Sequence, residues 1–103
     1  MLDKLSGVED RFEELNSLLA DPQVLSNHTR VSQYAQERAK LEEIVTLSRE
    51  YKGLISRLDD TRTLLEDDEL VEIVEDEISD LETRKLDLEQ RIRFMLLPDD
   101  GRD

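Results

Sequence analysis

Three stripes of apolar residues at helical spacing, each closed by a turn signal, constrain this chain more than any other feature of it. Leu2, Leu5, Val8, Phe12, Leu15 and Leu19 recur at steps of three or four with polar residues between them, which places them on one face of a helix over roughly residues 2 to 20. Asp21-Pro22 ends that helix, because proline disfavours the α conformation in the residue before it and lacks the N–H that the ladder needs. Asp21 can also cap a short turn through Leu25.

The second stripe is longer: Val31, Tyr34, Arg38, Leu41, Val45, Ser48, Tyr51, Ile55, Leu58 and Leu65. Such spacing is close to a coiled-coil seam, with Ser26 and Asn27 as caps and Arg38 and Ser48 as polar interruptions. The Arg38 stem can be buried while its head stays in water. Gly53 costs about 1 kcal/mol relative to Ala inside a helix and marks a place for a bend. After Glu66-Asp67-Asp68-Glu69, where Asp67 or Asp68 can cap, Leu70, Val74, Ile78, Leu81, Leu88, Ile92 and Met95 form a third stripe with Lys85 in its gap. Arg84, Lys85, Arg91 and Arg93 suit the negative end of that helix, and Pro98 stops it. The expected fold is therefore all-α, an antiparallel three-helix bundle in which the second and third helices make a long coiled-coil-like hairpin with the first packed along it. Residues 1–98 would be this domain. Residues 99–103 would be a disordered tail.

At 103 residues the chain holds one thin-cored domain, and its 4% aromatic content with two prolines suits helices better than a sheet. It has no cysteine, so no disulfide or thiolate metal site is available. No apolar run approaches the roughly 20 residues that span a bilayer, and the start MLDKLSGVEDRF is unlike a signal peptide. The expectation is a soluble cytoplasmic protein with no membrane partner.

The formal charge is −13, which opposes autonomous nucleic-acid binding because such binding rests on cations displacing phosphate counterions. The charge is uneven: Asp59 through Glu82 hold twelve acids and only Arg62. One reading is a solvated face that keeps the domain soluble. The sharper reading is a docking face for a basic partner, with Asp59, Asp60, Glu66, Asp68, Glu72, Glu75, Asp76 and Asp80 as its residues.

Catalytic chemistry finds little to stand on. The single histidine, His28, has no nucleophile motif beside it and reads as a surface or capping residue. Carboxylates on helices can hold a di-iron pair, but that design needs two Glu-x-x-His motifs, and the sequence has none. The three glycines stand alone, so no phosphate-cradling loop or cofactor is expected. Phe12, Tyr34, Tyr51 and Phe94 lie on or beside the stripes and read as core rather than as a base-stacking platform.

The order of residues adds a family resemblance. Phe12, Leu15, Leu18-Leu19, Asp21-Pro22 and Val24 look like the opening helix and turn of type-1 bacterial and organellar class I peptide chain release factors. Tyr34, Glu37, Leu41, Ile44-Val45 and Tyr51-Lys52 resemble their long helix, and Leu64 to Ile78 resembles their acidic connection and third-helix start. Leu96-Leu97-Pro98 followed by Asp99-Asp100 is similar to the exit from their N-terminal domain, an exit that type-2 factors usually lack.

The resemblance covers the whole chain and implies the non-catalytic N-terminal helical domain of a translation termination factor that directs peptide release at UAA and UAG stop codons. The family's Gly-Gly-Gln loop, which promotes peptidyl-tRNA hydrolysis, and its codon-reading Pro-x-Thr tripeptide lie beyond this domain, and neither occurs in the sequence. The Met1 start and an end just past Leu-Leu-Pro suggest a fragment whose tail leads to those further domains. In the family this domain approaches the ribosomal stalk base and takes part in contacts with other termination factors, which gives the expected partners. Two other readings of the same pattern are a homodimeric coiled-coil adaptor and an acidic nucleic-acid mimic that blocks a basic protein.

Overall fold

The structure is a computed structural model that describes residues 1–98, so the expected disordered tail lies outside the described residues. The elements are α1 (Leu2–Leu18), α2 (Pro22–Leu25), α3 (His28–Thr63), a 3-10 turn (Leu64–Glu66) and α4 (Val71–Met95). Every regular element among the described residues is helical, in line with the all-α expectation. None is long and apolar enough to cross a membrane.

Local chemistry sets the boundaries. Asp21 takes an extended conformation before Pro22, and its carboxylate accepts the Gln23 N–H at 2.9 Å, capping α2. Asn27 caps α3 by accepting the Arg30 N–H at 3.2 Å, while the Ser26 hydroxyl instead donates to the Gln23 carbonyl at 2.8 Å and closes α2. α4 begins at Val71 with Leu70 at its cap position and no side-chain cap. Asp67 stabilises the turn before it, accepting the Glu69 N–H at 3.0 Å.

The chain divides into two compact units, Met1–Ser48 and the residues from Arg49 onward, with α3 contributing residues 28–48 to the first and 49–63 to the second. In the first unit, α1 turns back through α2 onto α3, and the core is Leu5, Phe12, Leu15, Val24, Ile44, Val45 and Leu47. Arg38 differs from the expectation of a head held in water: its guanidinium lies 4.6 Å over the Phe12 ring and its Nε donates to Asn16. In the second unit, residues 49–63 of α3 and α4 run antiparallel, so that Tyr51 meets Glu89 and Leu54 faces the same hollow as Leu88. Its core is Tyr51, Leu54, Leu58, Val74, Leu81, Leu88 and Ile92.

Several stripe residues are less enclosed than their spacing suggests. Leu41 and Ile78 are half-buried, and Leu2, Leu65 and Leu70 are exposed because each sits at a helix end or in a connection with too few neighbours around it. Phe94 is 51% exposed and is not core. Two residues beyond Ile92, it lies about 200° around the helix from it.

Gly53 produces no break: α3 continues through it, and its φ is not positive. A Cβ built there meets nothing within 4 Å. Gly53→Ala should therefore stabilise the protein by about 0.5 to 1 kcal/mol, since alanine loses less backbone entropy on entering a helix. A urea midpoint that falls in this variant would show that the position resists a side chain.

Candidate functional site

The acidic run folds into the connection and the start of α4. Glu72, the adjacent Glu75 and Asp76, and Asp80 follow at offsets of three and four along α4 and are all exposed, around the helix from the buried Val74 and Leu81. Glu66 and Asp68 line a shallow depression at the connection, together with Asp67 and Glu69. Asp59 and Asp60 are exposed on the last turns of α3.

The eight carboxylates expected to form one face are thus divided. Asp80 lines a separate groove with Arg57, Glu77 and Arg84. Among the described residues, the ion pair that one of the eight makes is Asp59 to Arg62 at 3.7 Å. The neighbouring Glu77 and Glu82, which are not among the eight, are occupied: Arg57 donates to Glu77 at 2.7 Å and Arg62 to Glu82 at 2.8 Å. The α4 surface therefore offers carboxylates whose lone pairs face water, beside others already neutralised across the helix pair. Such an arrangement can bind cationic groups. Among the described residues no group of three or more His, Asp or Glu side chains could hold a metal ion.

Spacing arguments missed that apolar side chains would stand exposed among these acids. Leu64 and Leu70 line the same depression as Glu66 and Asp68, and Ile73 stands exposed on the first turn of α4. The available signal was that Leu64 and Ile73 fall outside the stripes.

The first unit concentrates its polar contacts at Arg11. Its guanidinium grips Glu37 with two bonds, Nε to Oε2 at 2.6 Å and Nη2 to Oε1 at 2.7 Å, and also meets Glu14. Those hydrogen bonds hold the guanidinium pKa above its ordinary value and the Glu37 carboxyl below its own. Arg11 and Arg30 also approach the Tyr34 ring, at 6.0 and 5.7 Å from its centroid. These contacts pin α1 to α3, and Tyr34 is half-buried within them.

In the second unit Tyr51 is buried and donates to the Glu89 carboxylate at 2.7 Å. Burial first, then that hydrogen bond and the Glu89 charge, push the phenol up to about 12, against a smaller opposing effect of Arg93. The neutral phenol is thus favoured by folding. Its contribution is complete below the ordinary value of 10 and is lost as pH rises from there towards about 12. Ultraviolet titration should show a tyrosinate step near 12 that disappears in Tyr51→Phe and moves down in Glu89→Gln. A step that ignores Glu89→Gln would break the assigned bond.

Comparison with known proteins completes the picture. The PCRF domain matches residues 8–103. Across its whole length the chain is 45% identical to "Peptide chain release factor 1" of Brevibacillus brevis. It is 41% identical to proteins of the same name from Bacillus cytotoxicus and Halalkalibacterium halodurans. In each case it spans 30% of the relative's length. No solved structure matches it.

Proposed function

The chain belongs to the PCRF domain family, and from that premise we propose that it is the N-terminal helical domain of a translation termination factor of the release factor 1 kind. The observation that carries this reading is 45% identity along the full chain to a relative of that name. Identity at that level along the whole chain accompanies a shared fold, and function is then argued from the site.

On this reading residues 1–98 are a non-catalytic domain, and the following residues lead to the parts that read UAA and UAG and promote peptidyl-tRNA hydrolysis. The chain's own contribution is binding. Exposed carboxylates on α4 at Glu72, Glu75 and Asp76 suit basic ribosomal protein surface near the stalk base and contacts with other termination factors. The working place would be the cytoplasm.

The test is peptide release from ribosomes halted at a stop codon. It compares the chain alone, a longer relative lacking the corresponding region, and that relative with this chain in its place.

A further inference from the structure

The connection between α3 and α4 carries apolar chemistry as well as charge. Leu64, Leu65, Leu70 and Ile73 are 49%, 36%, 38% and 70% exposed, four large side chains in water within ten residues. They are held by a folded turn. The Asp67 N–H donates to the Leu64 carbonyl at 3.1 Å, the Leu70 N–H to the Asp67 carbonyl at 3.0 Å, and the Asp67 carboxylate accepts from Glu69. Leu64 and Leu70 share a depression of ≈ 760 Å³ with Glu66, Asp68 and Glu69. From Thr63 to Thr83 the chain has no Lys or Arg.

That combination selects its occupant. Nucleic acid and anionic lipid surfaces are repelled by the carboxylates. A second copy of the chain would set like charges face to face around the same leucines. An uncharged apolar segment would cover the leucines but strip water from carboxylates without pairing them. A helix with apolar residues on one side and lysines or arginines along its flanks satisfies both requirements at once.

We propose that the α3–α4 connection seats a basic amphipathic helix of a partner protein, with the partner's apolar face on Leu64, Leu70 and Ile73 and its cations against Glu66, Asp68, Glu69 and Glu72. This deepens the docking role given above and rests on it only in taking the partner to be basic. It moves the centre of the contact from the outer face of α4 to the connection. It also makes apolar burial, rather than charge alone, the source of affinity.

The probe is a synthetic helix with leucines on one face and lysines on its flanks, titrated into the 103-residue chain and followed by amide chemical shifts. A peptide of the same composition in scrambled order serves as control. The expected result is shifts confined to residues 63–73, binding about tenfold weaker for the scrambled peptide, and about tenfold loss in Ile73→Ser, as removal of one buried apolar contact implies. Ile73 is exposed, so an unchanged circular dichroism melt separates lost binding from lost folding. Equal binding by the scrambled peptide, unchanged affinity in Ile73→Ser, or shifts centred on Glu75 to Asp80 each overturn the proposal while leaving an acidic docking face on α4 intact. The termination reading fails separately, if this chain placed in the corresponding region of a longer relative supports the same stop-codon release at every factor concentration whether or not its Glu72, Glu75 and Asp76 are replaced.

Discussion

Leu81→Ala should lower the stability of this protein by about 2 to 5 kcal/mol, the range for large-to-small changes at enclosed leucines. Leu81 is 1% exposed and lies between Val74 and Leu88 on the buried side of α4, and Leu58 on α3 is equally enclosed. A chain this small holds a net stability of only about 5 to 15 kcal/mol, so one cavity removes a large part of it. Each kcal/mol corresponds to about 4 to 8 °C in a domain of this size, and the melting temperature should fall by at least about 8 °C. Leu15→Ala should behave alike in the first unit, where Leu15 is fully enclosed. Glu75→Ala is the control: a change at an exposed position should stay within about 0.5 kcal/mol. Paired urea melts decide it, and comparable losses in Leu81→Ala and Glu75→Ala would mean that the buried side of α4 is misplaced.

Leu41 and Ile78 show how far a stripe alone could be read. Both sit on their stripes, yet both are only half-buried and should cost less than Leu81 or Leu15 when truncated. Periodicity assigns a face, but the depth of burial depends on what the neighbouring element brings to that face. The helices, the turn at Asp21-Pro22 and the caps at Asp21 and Asn27 were legible because each follows from contacts within four residues. Ser48 was legible as a polar residue in the seam, but not that it would be fully enclosed with its hydroxyl unpaired. Long-range pairings such as Arg11 with Glu37 and Tyr51 with Glu89 were not legible either, since they join residues 26 and 38 positions apart. The acidic run could be counted from the sequence. Its division among the connection, the outer side of α4 and the groove at Arg57 could not, because that depends on how the chain turns between Thr63 and Val71.

Ribosomes halted at a stop codon should keep their peptide when given this chain alone, at any chain concentration. Hydrolysis needs a group that positions water at the peptidyl ester, and the chain has three isolated glycines, one histidine on the first turn of α3, and carboxylates spread over a solvated surface. On the proposed reading its share of the work would be binding energy far from the reacting bond, and such energy acts on occupancy. A longer relative lacking the corresponding region should therefore need more factor for half-maximal release, on the order of tenfold, with a much smaller change in the saturated rate. Placing this chain in that position of the Brevibacillus brevis relative, to which it is 45% identical, should restore the lower half-maximal concentration. Restoration should weaken with salt, since contacts between exposed charges are screened beyond roughly 8 to 10 Å at physiological ionic strength. A saturated rate that collapses on deletion with half-saturation unchanged would assign this region to the chemistry itself. Stop-codon-dependent release by the chain alone would remove the proposed division between a docking domain and a catalytic remainder.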